Sequence, residues 1–331
     1  MTPFHQNATH GELNQRFPKS LSLQRGAALI TALLVITLAT TLAVYLLSQQ
    51  SRALTRTART TDRAQLQLYV GSVLDYARAF LFENQKNYPY VSLNQPWARG
   101  LSAIPVERAV ASGLMADEQA KFNLNNLVND GKRSNPDIAL FMRLLVELKL
   151  NPDLASAVLD WIDADSDTTY PGGAEDLDYL SQSAPQRAAN RPLIQVEELY
   201  RIKGFDTATV KRLRPFVTAL PVRTRININT ASQEVLTALF PPSASEKVVE
   251  LIKYRETKPF TKIDDLKAYL KDSVPDSTGQ FVDTNSDFFV ANIALTAEAT
   301  QIRQMALLRR QTVAPQTAPT EWPAIIWVRD F

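Results

Sequence analysis

The sequence predicts an α+β protein carried on a single amino-terminal membrane helix, and three observations predict it. Residues 27–47 form a run of 21 without one charge, which at about 1.5 Å of rise each matches the roughly 30 Å hydrocarbon core of a bilayer. The chain keeps a helical apolar rhythm beyond that run and again through a proline-capped central region. Its tail instead gathers β-branched and aromatic residues in 288–295 and 324–328, as strands do.

The anchor comes first. A secretory signal would close a shorter apolar region with a small-x-small cleavage site; Leu46-Leu47-Ser48-Gln49-Gln50 offers none, so the span is retained. On the other side Gln24-Arg25-Gly26 breaks off against Ala27, which taken alone fits either a processing site or an ordinary signal anchor with an accidental glycine. Past the span, Arg52, Arg56, Arg59 and Arg63 recur at helical spacing on one face, suited to lipid headgroups, to a neighbouring helix or simply to solvent. Because Arg16, Lys19 and Arg25 precede the span while these four follow it, counting charges does not settle the orientation. Leu66, Val70, Val73, Ala77, Phe80 and Leu81 then mark one buried helical side with no proline before Pro89, so a single helix is expected from about residue 28 to residue 84.

Short runs at 101–106 and 122–127 read as strands or connections. Asn135-Pro136-Asp137 and Asn151-Pro152-Asp153 each place a capping side chain, a proline and an early acid in the order that helix starts prefer. Ile138, Phe141, Leu145 and Leu148 form the apolar face of the first helix, and Leu154, Val158, Leu159 and Ile162 that of the second. A partial repeat follows: Pro192-Leu193 with Val196-Glu197-Glu198-Leu199 returns at the same spacing as Pro259-Phe260 with Ile263-Asp264-Asp265-Leu266. Thr230 with Gln233, and Ser243 with Glu246, are capping-box candidates, and 305–310 fits strand or helix, with strand preferred.

Composition excludes much chemistry. The net charge of +2 selects no partner, and the absence of cysteine removes disulfides, thiolate metal sites and thiol catalysis. Both histidines, His5 and His10, precede Gly26, so a chain processed there has lost the commonest general base and the usual triads. What remains is acidic. Asp160, Asp163, Asp165, Asp167, Glu175, Asp176 and Asp178 fall within 19 residues that hold no Lys or Arg, with Pro171-Gly172-Gly173 turning between two acidic arms. So many carboxylates repel unless a cation neutralises them, and hard oxygens in a loop suit calcium; the competing reading is a solvated acidic loop. It is not an EF-hand, since counting from Asp163 puts Thr168 where that loop needs glycine and brings Glu175 one place late. Residues 226–266 and Lys203-Gly204-Phe205-Asp206 are similar to helix-hairpin-helix modules that hold DNA phosphates, but Asp206 stands at the second glycine's place and would repel phosphate. These helices are read as a scaffold used for packing.

Several motifs occur in one order: Gln24-Arg25-Gly26-Ala27-Ala28-Leu29-Ile30-Thr31-Ala32-Leu33, Lys121-Phe122-Asn123-Leu124-Asn125-Asn126-Leu127, Asp160-Trp161-Ile162-Asp163-Ala164-Asp165, Gly172-Gly173-Ala174-Glu175-Asp176, Ala189-Asn190-Arg191-Pro192-Leu193 and Ile226-Asn227-Ile228-Asn229-Thr230-Ala231. In that order they resemble the K-type minor pseudopilins of type II secretion systems. The resemblance implies a pilin-like fold, in which a long amino-terminal transmembrane helix packs on an antiparallel β-sheet, with a large inserted all-helical domain. It divides the chain into a cytoplasmic leader (1–26), the transmembrane part of the helix (27–47), the rest of that helix with the first strands (48–130), the insertion (131–280) and the last strands (281–331). It implies cleavage by prepilin peptidase between Gly26 and Ala27 with N-methylation of Ala27, and an inner-membrane, single-pass protein with a cytoplasmic amino terminus and a periplasmic head. It also implies structural calcium in the acidic loop, with Asp163, Asp165, Asp167, Glu175 and Asp176 as leading ligands and Asp160 and Asp178 as further candidates. The implied role is non-enzymatic: a minor pseudopilin at the pseudopilus tip that helps initiate assembly and limit length during export across the outer membrane. Its implied partners are I- and J-type minor pseudopilins, the major pseudopilin, the inner-membrane assembly platform and the peptidase, with no nucleic acid. Major subunits carry glutamate as the fifth residue after processing; here that residue is Thr31. The alternative is a membrane-anchored helix-hairpin-helix DNA-binding protein of competence type, which needs a basic patch on the domain that holds the acidic cluster. A carboxylate-based enzyme ranks third.

Overall fold

α1 (Leu21–Asn87) is a single α-helix. It opens a computed structural model that describes residues 21–271, 276–297, 300–311 and 321–330. The chain falls into two units, Met1–Asp62 and Arg63–Phe331, and α1 contributes to each. His5, His10, Arg16, Lys19 and residues 1–20 of the leader lie outside the described residues.

In the first unit the helix is long and apolar enough to cross a membrane. Leu29, Ile30, Leu33, Leu34, Val35 and Ile36 are all exposed, as lipid-facing side chains must be. Its threonines do not break this character, because each hydroxyl bonds inside the helix. Thr31 Oγ1 donates to the Ala28 carbonyl at 3.0 Å, and Thr37 Oγ1 to that of Leu34 at 2.9 Å, so no polar hydrogen is left for hydrocarbon to desolvate.

In the second unit α1 continues to Asn87 and is followed by β1 (Leu101–Val106) and β2 (Ala109–Asp117). Then comes a helical region decorated with very short strands. β3 (Phe122–Asn123) precedes a hairpin of β4 (Val128–Asn129) and β5 (Lys132–Arg133). Asp130 and Gly131 turn this hairpin with φ of 50° and 72°, the positive values that a two-residue hairpin turn requires. α2 (Asn135–Glu147), α3 (Leu154–Ile162), α4 (Asp176–Leu180), a 3-10 turn at Val196–Arg201 and α5 (Thr207–Leu213) lead to β6 (Val217–Thr218). β7 (Ile226–Asn227), α6 (Gln233–Leu239), α7 (Ser245–Thr257), α8 (Ile263–Leu270) and β8 (Val282–Asp283) complete it. One core joins Phe122, Phe141, Leu145, Val158, Leu199, Leu236, Leu251 and Val282.

Four helix starts differ from the sequence expectation. α3 begins at Leu154 with Asp153 as its cap, while Asn151 Oδ1 accepts the Asp153 N–H at 3.0 Å in the turn before it. α2 takes Ser134, not Asn135, as its N-cap, and Ser134 Oγ donates to Asp137 Oδ2 at 2.5 Å. α6 is capped by Ser232, while α7 begins after a 3-10 turn at Pro242–Ala244 with Ala244 as its cap. Thr230 lies ahead of the α6 cap, with its hydroxyl turned to the buried Asp117 carboxylate, to which it donates a charge-assisted hydrogen bond at 2.6 Å.

The partial repeat has a physical basis that reaches further upstream. Asn125 bonds both backbone groups of Leu193, its Nδ2 donating to the carbonyl at 2.9 Å and its Oδ1 accepting the N–H at 2.8 Å. Asn229 does the same to Phe260, at 2.9 and 2.8 Å. A side-chain amide carries one donor edge and one acceptor, so it replaces a strand partner for a buried residue that has none. Each half also closes with a two-residue parallel pair, β3 with β6 and β7 with β8.

β9 (Phe288–Ala297), β10 (Thr300–Arg309) and β11 (Ala324–Asp330) finish a five-stranded sheet of order β1-β2-β9-β10-β11, antiparallel at every junction. β2 and β9 are neighbours although the whole helical region separates them in sequence. Period-two alternation turns Phe289, Ala291, Ile293 and Leu295 toward Leu66, Val70, Ala77 and Leu81 of α1. Phe288 and Val290 face the other way, onto Leu220 and Leu307. Where sheet and insertion meet, Asp117 is buried and accepts from Thr230, Ser286 Oγ at 2.7 Å, Asn227 Nδ2 at 3.0 Å and the Gln119 N–H at 2.8 Å. Burial pushes its carboxyl up from the ordinary range, and those hydrogen bonds partly offset the shift.

Candidate metal centre

The acidic loop is built on the buried helix α3. Asp163 ends that helix, its N–H bonded to the Leu159 carbonyl at 2.9 Å, and Glu175 stands just before α4, whose Asp178 Oδ2 accepts the Glu175 N–H at 3.3 Å. Asp160 Oδ2 accepts the Thr169 N–H at 2.9 Å and folds the loop back over the helix. The two glycines make this possible. Gly172 adopts φ +94°, and a Cβ on Gly173 would lie 2.2 Å from Asp160 Oδ2 and 2.3 Å from the Thr169 carbonyl, a clash no side chain could relieve.

Asp163, Asp165 and Glu175 thereby converge. Each offers a carboxylate oxygen, and the three lie within 4.8 Å of one another. Asp163 and Glu175 are 3% and 4% exposed, yet none of their four carboxylate oxygens has a hydrogen-bond partner, nor has Asp160 Oδ1 or Thr169 Oγ1. Buried polar atoms without partners are costly, and so many in one place call for a ligand. Burial, and then the neighbouring Asp165, push the Asp163 carboxyl up to about 6; burial, and then Asp160 and Asp163, push that of Glu175 up to about 7. Calcium fits this donor set: the oxygens are hard, they lie no further apart than about twice a typical calcium–oxygen distance of roughly 2.4 Å, and a dication would remove the repulsion.

Other expected ligands stand outside the group. Asp167 gives its backbone N–H to Asp165 Oδ1 at 2.9 Å and turns its side chain to solvent. Asp176 accepts the Ala188 N–H at 3.0 Å and lies 3.8 Å from Arg187 Nε, while Asp178 pairs with Lys203 Nζ at 2.7 Å. Asp160 is not one of the three, but its charge acts on both Asp163 and Glu175. Sequence reasoning missed Arg133 on β5, whose Nη2 lies 3.2 Å from Asp163 Oδ2; the signal was the Asp130-Gly131 turn, which presents it. Asp206, at the hairpin position read as hostile to phosphate, caps α5 by accepting the Thr209 N–H at 2.7 Å, so the site where phosphate would sit is filled by a carboxylate. Gly26 and Ala27 lie on α1, with open space around the Gly26 Cα.

An apolar amino-terminal helix laid in its second half on an antiparallel sheet, with helices inserted between adjacent strands, defines a pilin-like subunit. Two stretches of the chain, 120–222 and 226–279, match family descriptions of the type II secretion system (T2SS) protein K. The protein K of Pseudomonas aeruginosa is 33% identical over 261 residues, covering 75% of this chain and 77% of that protein. That of Klebsiella pneumoniae is 30% identical over 306 residues, 87% of this chain and 93% of the relative. The chain belongs to the type II secretion system protein K family. Its structure is also similar to the K chain of the solved GspK–GspI–GspJ complex from enterotoxigenic Escherichia coli, with a TM-score of 0.71 and 27% identity over 83% of this chain and 99% of that one.

Proposed function

We propose that this chain is an assembly subunit, not an enzyme, which sits at the tip of the secretion pseudopilus with I- and J-type minor pseudopilins, helps to start the filament and limits its length. The observation that carries the reading is the likeness, over nearly all of the neighbour's length, to a K chain held in a complex with two such partners. Two features of this chain support a terminal place. Thr31 stands where a repeating subunit carries glutamate, and its hydroxyl is spent on the Ala28 carbonyl, so it cannot neutralise the amino terminus of a subunit ahead. The helical region inserted between β2 and β9 adds bulk that would obstruct lateral packing in a regular array.

In this reading prepilin peptidase cuts between Gly26 and Ala27 and methylates Ala27, the helix spans the inner membrane, and the head lies in the periplasm. The major pseudopilin and the inner-membrane assembly platform are its further partners. Calcium held by Asp163, Asp165 and Glu175 supplies positive charge that fixes the loop between α3 and α4. Co-expression with the cognate I- and J-type subunits, followed by purification through a tag on this chain, should yield a stable three-part complex. Immunogold labelling of sheared filaments should place it at one end. Labels spread along the shaft, or no complex at micromolar concentrations, would overturn the reading.

A further inference from the structure

The cation already beside the acidic group comes from outside the loop. Arg133 Nη2 lies 3.2 Å from Asp163 Oδ2 and 3.5 Å from Asp165 Oδ1, and donates to the Asp167 carbonyl at 3.3 Å. The contact with Asp163 is an ion pair without the alignment that a hydrogen bond needs. Asp163 and Asp165 belong to the trio whose oxygens can share one ion. A guanidinium and a dication cannot occupy the same lone pairs, and held this close they repel. Nor does Arg133 satisfy the whole group, because the buried Glu175 keeps both carboxylate oxygens without a partner. Arg133 also has somewhere to go: its side chain is 36% exposed, on a hairpin of two-residue strands.

We propose that Arg133 is a tethered competitor for the divalent-cation site. In the metal-free protein it pairs with Asp163 and Asp165; calcium displaces it and breaks its bond to the Asp167 carbonyl, which frees the β4–β5 hairpin. Arg133 therefore sets the affinity of the site and couples its loading to that hairpin. This rests on the reading of the loop as a calcium site.

The test is calorimetric titration of calcium into the full chain in detergent at pH 7.5, for wild type, Arg133→Gln and Arg133→Lys. Removing one unit charge beside a dication should tighten the Kd of Arg133→Gln at least tenfold, and Arg133→Lys, a shorter-reaching competitor with no fork, should fall between. Saturating calcium should also speed amide exchange in residues 128–134 of wild type and leave that of Arg133→Gln unchanged. Should Arg133→Gln fail to fold, a Kd for Arg133→Lys equal to or weaker than wild type overturns the proposal. Measurable wild-type binding with unchanged or weaker binding in Arg133→Gln overturns it too, and leaves the calcium reading standing. Binding by none of the chains removes both.

Discussion

Chelating calcium at pH 7.5 should cost the head much of its margin of stability, and the acids themselves say how the loss must depend on pH. With Asp163 raised to about 6 and Glu175 to about 7, both are mostly ionised at pH 7.5 and repel each other. An ion present at a hundredfold its Kd adds about 2.7 kcal/mol. For a unit of the size of Arg63–Phe331, about 2–4 °C of melting temperature accompanies each kcal/mol, so chelation should lower it by about 5–10 °C. At pH 5 both carboxyls hold protons that calcium must first remove, and the shift should fall to less than about 2 °C. Without metal the trend reverses. A carboxyl whose folded pKa is raised binds more protons folded than unfolded, so its contribution is present below pH 4 and is lost as pH rises through 6 to 7. Melting followed by circular dichroism in EGTA should therefore show falling stability from pH 5 to 7.5, which calcium abolishes. A pH 7.5 melt that millimolar calcium leaves unchanged, or an equal effect of calcium at pH 5, would rule out a calcium site built on these acids.

Asp117→Ala should destabilise the head by about 3–5 kcal/mol in urea unfolding, because Ser286 Oγ and the Gln119 N–H lose an acceptor while Asn227 and Thr230 retain weaker alternatives at Val91 and Asn227. Asp117→Asn, which sets its amide against only one of those donors, should cost about 1–2 kcal/mol, and equal losses for the two variants would contradict the network. Replacing Gly26 by leucine should leave a precursor heavier by the leader in whole-protein mass spectrometry, whereas wild type should begin at a methylated Ala27; an unprocessed wild type would count against the cleavage.

Local patterns were legible because their causes are local. The run at 27–47 is set by the thickness of hydrocarbon, and the stripe from Leu66 to Leu81 by the pitch of a helix, so both could be read without knowing what they touch. The strands at 288–295 and 324–328 announced themselves by β-branched and aromatic content and fall within β9 and β11, whereas 305–310 between them fits helix or strand by content and only its pairing in the sheet makes most of it part of β10. The repeat was visible as spacing, but its cause, two asparagines clamping Leu193 and Phe260, lies in contacts made far along the chain.

Tertiary structure decided where competing partners had to be ranked. Thr230 reads as a cap, yet the fold brings the buried Asp117 carboxylate to its hydroxyl and α6 is capped by Ser232 instead. Seven neighbouring acids look equivalent in sequence, yet Asp176 and Asp178 are claimed by Arg187 and Lys203, Asp167 turns to solvent, and only Asp163, Asp165 and Glu175 converge. Among the described residues, the cation paired with Asp163 and Asp165 is Arg133, from a hairpin before α2. The sequence by itself thus determined the anchor, the element types and the acidic character of the loop, since periodicity and composition act over one or two turns of chain. Which carboxylates meet, and which are neutralised by a distant arginine or lysine, was left to the tertiary fold, because charge acts through space and a few ångströms of placement outweigh adjacency in sequence.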